Sequence, residues 1–150
     1  MKKNIQILNP KEIEQKINRL AWEIYENNIE EKEIIIIGLA DRGIIIAEKI
    51  TKYLTEISSL QVLLGEIILN KNNPLKEIHF TLEESQINNK VVILVDDVLK
   101  SGRTLIYAAR YLLNTSLKKL STVVLIDRKH NNYPIKADFS GLSLSTTLQE

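Results

Sequence analysis

Lys90-Val91-Val92-Ile93-Leu94-Val95-Asp96-Asp97-Val98-Leu99-Lys100-Ser101-Gly102-Arg103-Thr104-Leu105 reads as three pieces in order. Val91 to Val95 is an unbroken β-branched and leucine run, which suits a parallel strand covered on both faces. Two adjacent carboxylates, Asp96 and Asp97, stand where that strand should end. Lys100 to Thr104 is a short loop with one glycine, two hydroxyls and two cations. From Thr104 onward, Leu105, Ile106, Ala108, Ala109, Leu112 and Leu113 recur at helical spacing.

This layout has a definite chemistry. In open α/β sheets, ligands bind outside the carboxyl ends of the strands. A loop that enters a helix presents unsatisfied backbone N–H groups and a positive dipole end, which suits a phosphate. Gly102 allows close backbone approach, and Ser101 and Thr104 add hydroxyl donors. Asp96 and Asp97 carry the same sign of charge as a phosphate. They suit sugar hydroxyls, or Mg²⁺ held through water. The predicted ligand is a sugar phosphate. A plainer reading makes Asp97 a turn cap and Ser101 or Thr104 a helix cap. Two acids, a glycine and two hydroxyls within nine residues favour a site over that reading.

Working outward, Glu33-Ile34-Ile35-Ile36-Ile37-Gly38 predicts a second buried strand. It runs through Leu39-Ala40-Asp41-Arg42-Gly43 into a helix from about Ile44 to Leu54, a second strand-loop-helix unit. Upstream, Asn9-Pro10-Lys11-Glu12 is a helix start with Asn9 as cap and Glu12 closing a capping box. Ile13, Ile17, Leu20, Ala21 and Ile24 mark the buried face of that helix, Trp22 and Tyr25 read as packing residues, and Asn27-Asn28 ends it. Between the two units, Leu60 to Leu69 reads as a strand, Asn70 to Pro74 as a turn, and Ile78 to Leu82 as a half-exposed strand of a hairpin. His79 reads as an exposed strand residue. Asn88-Asn89 turns the chain into the central strand. Downstream, Ser121 to Ile126 is a further strand ending at Asp127-Arg128-Lys129-His130. Strands alternating with helices predict an α/β, doubly wound, mainly parallel sheet with flanking helices.

The chain has 150 residues, enough for one domain over residues 1–150. A net charge of +1 makes no global case for nucleic acid. The absence of cysteine excludes disulfides and thiolate metal sites, and His79 and His130 form no metal-spacing motif. Lys2 and Lys3 have no apolar core behind them, so no signal peptide is expected. No apolar run approaches the roughly 18 residues of a membrane span, so no membrane partner is expected and a cytoplasmic location is. There is no Gly-x-Gly-x-x-Gly and no Walker loop.

Val92 to Thr104 resembles the signature of type I phosphoribosyltransferases: four apolar residues, two acids, two apolar residues, a variable residue, Thr, Gly, a variable residue and Thr. Ser101 replaces the first Thr and keeps the hydroxyl. With Gly38 to Gly43, Gly65-Glu66-Ile67, Val124 to His130 and Pro134 to Gly141 in order, the chain looks most like the pyrimidine-operon attenuator group. That group also has uracil phosphoribosyltransferase activity and binds mRNA.

The resemblance implies the type I phosphoribosyltransferase fold with a small hood. It implies transfer of ribose 5-phosphate from phosphoribosyl diphosphate to a nucleobase, uracil favoured. Asp96 and Asp97 would be the catalytic pair on the ribose hydroxyls. Lys100, Ser101, Gly102, Arg103 and Thr104 would hold the 5′-phosphate. Asp41, Arg42 and Gly43 would hold the pyrophosphate, and Arg128 beside the segment Asp138 to Leu144 would read the base. Mg²⁺ would come with the diphosphate, held mainly by substrate and water, with no residue assigned as a direct metal ligand. A homodimer or higher homo-oligomer is implied.

This chain departs from the family pattern at several points. Asp41 replaces the Thr of a Thr-Arg-Gly loop. The long flexible loop after Gly65-Glu66-Ile67 is cut to a short turn, with Lys71 the nearest cation. Such a loop closes over the reacting centre, so its loss is expected to weaken catalysis more than ground-state binding. Lys100 stands where purine enzymes place an Asp as general base, and Leu142 where they have a stacking aromatic. The family runs on past Ser145-Thr146-Thr147, so either the chain is trimmed or the hood is reduced. The alternative function is a weak or inactive regulator of the same fold that binds phosphoribosyl diphosphate or a nucleotide, and RNA through a basic face. An unrelated phosphatase or receiver domain ranks behind both, because the Ser-Gly-x-Thr loop directly follows the acids.

Overall fold

A computed structural model describes residues 8–144. Lys2 and Lys3, and the segment Ser145-Thr146-Thr147, lie outside them. The elements run α1 (Pro10–Asn27), β1 (Glu33–Leu39), α2 (Arg42–Ile57), β2 (Gln61–Ile68), β3 (His79–Phe80), α3 (Glu84–Ile87), β4 (Val91–Leu99), α4 (Arg103–Leu112), β5 (Lys119–Asp127) and β6 (Phe139–Ser143).

Local signals set several of these boundaries. The Asn9 side chain accepts from Glu12 N at 2.8 Å, Glu12 Oε1 accepts from Asn9 N at 3.0 Å, and Pro10 opens α1. This reciprocal cap satisfies two donors that a helix start leaves orphaned. The C-terminal cap of α1 is Asn28. Trp22 departs from expectation. It is 44% exposed and meets Tyr25 edge-on at 6.3 Å. The one-turn helix α3 was not legible, because four residues carry too little periodicity.

The sheet has the order β3-β2-β1-β4-β5-β6. All neighbouring pairs are parallel except β2 with the two-residue strand β3. Both faces are covered. Ile34 and Ile36 pack with Ile17, Leu20, Ile24, Ala47 and Ile50 of α1 and α2. Ile35 and Ile37 pack with Leu105, Ala108 and Leu112 of α4 and with Ile87 of α3. A run of four isoleucines is therefore what a strand buried on both sides requires. Each such side chain contributes roughly 1.5–3 kcal/mol.

The connections leave β1 in opposite directions across the sheet. α2 leads to β2 on one side, while β4 lies on the other. The crevice between the carboxyl ends of β1 and β4 is thus a topological switch point, where open α/β sheets bind ligands.

β4 runs further than the residue types implied. Its ladder with β1 ends at Gly38↔Val95, but its ladder with β5 continues through Asp96↔Val124, Val98↔Ile126 and Leu99↔Asp127. Asp96 and Asp97 therefore lie inside the strand, paired with a neighbour on one side only. The other side faces the crevice beyond β1.

The hood is small. The connection between β5 and β6 folds back on the loop after β4, with Asn132 N and Tyr133 N donating to Ser101 O at 2.8 and 3.1 Å. Among the described residues no helix is long and apolar enough to cross a membrane.

Candidate active site

The switch-point crevice holds a cavity of about 490 Å³. The loop after β1 and the start of α2 contribute Ala40, Asp41 and Arg42. β4, its loop and the start of α4 contribute Asp96 through Leu105, and the turn after β2 contributes Lys71. Residues far apart in the chain thus meet at one end of the sheet.

Asp96 and Asp97 form one wall. Asp97 N donates to Asp96 Oδ1 and Val98 N to Asp97 Oδ1, both at 2.8 Å. Each carboxylate is held by the amide that follows it, which fixes its direction. The Asp96 carboxyl is pushed up from the usual carboxylate range to about 8, by burial first and then by the side-chain hydrogen bond and charge of Asp97, while the Asp97 backbone N–H and the charge of Lys71 act the other way. Among the described residues there is no group of three or more His, Cys, Asp or Glu able to cage a metal. Two adjacent, mutually repelling carboxylates instead fit Mg²⁺ in its usual protein setting, bound by one or two carboxylates with substrate oxygens and water.

The loop after β4 is built around Gly102. Its φ is +89°, and a Cβ there would sit 2.7 Å from Ile135 Cγ2 of the hood. Only glycine meets both demands. Gly102 is also the N-cap of α4 and offers no side-chain cap. Arg103 N is satisfied by Ser101 Oγ at 3.2 Å. The start of α4 therefore faces the cavity with its positive dipole end uncapped by Gly102. Ser101 and Thr104 line the same cavity.

The β1 loop faces this wall. The Ala40–Asp41 peptide is cis. Asp41 is the N-cap residue of α2 but makes no side-chain cap, and both it and Arg42 are exposed on the cavity. Gly43 does not line it. A Cβ on Gly43 would lie 2.5 Å from Val95 O and 3.0 Å from Asp96 Cα. Gly43 thus lets α2 press against β4 behind the acids.

Arg128 lines a neighbouring cavity of about 260 Å³ with Lys100, Ser101, His130 and Asn132. Lys100 and Ser101 belong to both cavities. The buried Arg128 Nε has no hydrogen-bond partner. Asp138 is not available to this pocket. Its Oδ2 accepts from Thr122 N at 2.9 Å, and its own N donates to Thr122 Oγ1 at 3.0 Å, which pins β6 to β5.

Two further cations stand at the cavity. Arg103 turns its Nη1 to Lys71 O at 2.8 Å and lies 5.6 Å from the centroid of the Tyr107 ring. Lys71, which no motif marked as a site residue, lines the cavity beside it. Its only sequence signal was its place as the nearest cation in the shortened turn.

The geometry agrees with comparisons to known proteins. A family model described as the phosphoribosyl transferase domain matches residues 4–149. A protein named bifunctional protein PyrR from Alkaliphilus metalliredigens is 34% identical over all of this chain and 87% of its own length. A protein of the same name from Clostridioides difficile is 32% identical over all of this chain and 89% of its own. Among solved structures, the hypoxanthine phosphoribosyltransferase of Trypanosoma cruzi superposes with a TM-score of 0.83, covering 95% of this chain and 83% of that one at 17% identity. A hypoxanthine-guanine phosphoribosyltransferase from Bacillus anthracis gives 0.77, covering 98% and 86% at 19% identity. At those identities the structural likeness speaks to the fold.

Proposed function

The chain belongs to the phosphoribosyl transferase domain family, and from that premise we propose that it transfers ribose 5-phosphate from phosphoribosyl diphosphate to uracil, releasing pyrophosphate. One observation carries this reading. The acids of β4, the helix start after Gly102 and the cation of the β1 loop converge on one cavity.

In this reading the ribose hydroxyls donate to Asp96 and Asp97. The 5′-phosphate sits at the start of α4 against Ser101, Gly102 and Thr104. The diphosphate lies toward Arg42. Asp96 and Asp97 would face the Mg²⁺ that comes with the diphosphate, held mainly by substrate and water, and the ion would supply charge neutralisation there. A ring nitrogen of the base bonds to C1′ as the C1′–O bond breaks; pyrophosphate leaves with the electron pair, and the ring N–H proton passes to pyrophosphate or solvent. The protein's part is positioning and electrostatic stabilisation of a cationic sugar. Arg128, which lines the adjoining cavity, supports a carbonyl-bearing base there. Lys100 supplies no carboxylate base for the purine route. A homo-oligomer and a cytoplasmic setting belong to the same reading and rest on the resemblance.

A second reading is a regulator of the same fold that binds phosphoribosyl diphosphate or a nucleotide, with RNA as partner. The relatives' name, bifunctional, and the short turn between β2 and β3 favour keeping it.

Pyrophosphate release from phosphoribosyl diphosphate with Mg²⁺, measured with uracil, hypoxanthine, guanine and no base, tests the choice. Release with uracil alone is the expected result. Binding of the diphosphate by calorimetry without release from any base would leave the regulator.

A further inference from the structure

The turn that replaces a long loop is braced from within and clamped from outside. Asn70 Oδ1 accepts from Asn72 N at 2.9 Å and Asn73 N at 3.2 Å, and Asn70 Nδ2 reaches Glu77 Oε1 at 3.2 Å. The outside clamp is Arg103, whose Nη1 holds Lys71 O at 2.8 Å. Its guanidinium lies over Tyr107, which meets Tyr133 of the hood edge-on at 6.3 Å. A guanidinium occupied by a carbonyl and an aromatic face is held in a defined orientation.

The clamp sets Lys71 on the wall of the cavity that also holds Arg42 and the acid pair. Among the described residues no salt bridge engages Lys71. The field of Lys71 reaches Asp96, whose carboxyl it pulls down. Arg42 and Lys71 come from loops after two adjacent strands, β1 and β2, so they can share one polyanion at the mouth.

We infer that Lys71 is a diphosphate-binding residue and that Arg103 is a positioning residue acting through it, so that the short turn is a preset arm of the site. This inference deepens the phosphoribosyltransferase reading and rests on it. It also reassigns Arg103 from the 5′-phosphate to the turn.

Calorimetry with two probes separates the roles: inorganic pyrophosphate with Mg²⁺, and ribose 5-phosphate. K71A is expected to weaken pyrophosphate about tenfold or more, the scale of one hydrogen bond to a charged group. R103A is expected to weaken it several-fold. The K71A/R103A double variant should bind no more weakly than K71A, because the two residues act in series. Ribose 5-phosphate affinity should be unchanged in all three. R103K should not restore the wild-type affinity, since an ammonium lacks the planar fork. Unchanged pyrophosphate affinity in K71A overturns the inference while leaving the parent reading intact. So does additive loss in the double variant, or loss of ribose 5-phosphate binding in R103A. A wild-type protein that binds neither probe overturns both.

Discussion

Asp96 and Asp97 sit side by side in a strand, yet their surroundings separate them. Asp96 is pushed to about 8 from a starting value of 3.8, by burial first and Asp97 second. The native protein thus holds a proton at Asp96 between about pH 4 and pH 8 that the unfolded chain has released. The unfolded state binds fewer protons over that window, so this residue makes stability fall as pH rises through it. Asp96→Asn should flatten that part of a denaturation-against-pH curve. If the proposed function holds, the substrate meets the ionised pair, so affinity for the Mg²⁺–diphosphate should climb as pH rises through about 8, and Asp96→Asn should remove the climb. Replacing both acids with Asn should abolish activity while the circular dichroism spectrum stays native. Surviving activity would reassign the roles of the pair. Their position beside a glycine and two hydroxyls was legible because chemistry, spacing and strand pattern coincided in one stretch. Gly43 and Arg103 were not legible in the same way. A glycine's neighbours and a long side chain's direction depend on what the fold brings opposite them.

At the scale of elements, the site is two strand-loop-helix units set side by side. α2 starts immediately after the β1 loop and presses on β4 through Gly43. Gly43→Ala would put a methyl group 2.5 Å from a backbone oxygen that has no side chain to move. Overpacking of this kind costs about 1–3 kcal/mol, which at this chain length lowers the melting temperature by several degrees. The same change should weaken substrate binding, because the backbone displaced belongs to Val95 and Asp96. Thermal melts and calorimetry on one preparation check both. The capping box at Asn9 and Glu12, the isoleucine run of β1 and the helical face of α4 were all written in local pattern, and the elements follow it. The end of β4 was not. Carboxylates usually mark the end of a buried strand, but the ladder to β5 carries Asp96 and Asp97 onward as strand residues.

For the whole molecule, the decisive feature is the reversal of direction at β1, which brings residues 40–42, 71 and 96–105 to one crevice. A net charge of +1 over the chain provides no general attraction for RNA. If the regulator reading holds, binding must come from a local basic face. Its equilibrium constant should then fall linearly with salt on logarithmic axes, with a slope near −0.7 per neutralised phosphate of a single strand. No detectable RNA binding at low salt would remove that partner. By itself the sequence determined the α/β class, the buried strands, the helix starts and the motif that marks the ligand loop. Each of these depends on neighbours a few residues apart, whose spacing survives in one dimension. Only the tertiary structure decided that Gly43 supports the acids from behind and that Asp138 ties β6 to β5. It alone decided that Arg103 reaches Lys71 across the cavity. Those relations join residues distant in the chain, and they exist only once the strand order has set which loops share an end of the sheet.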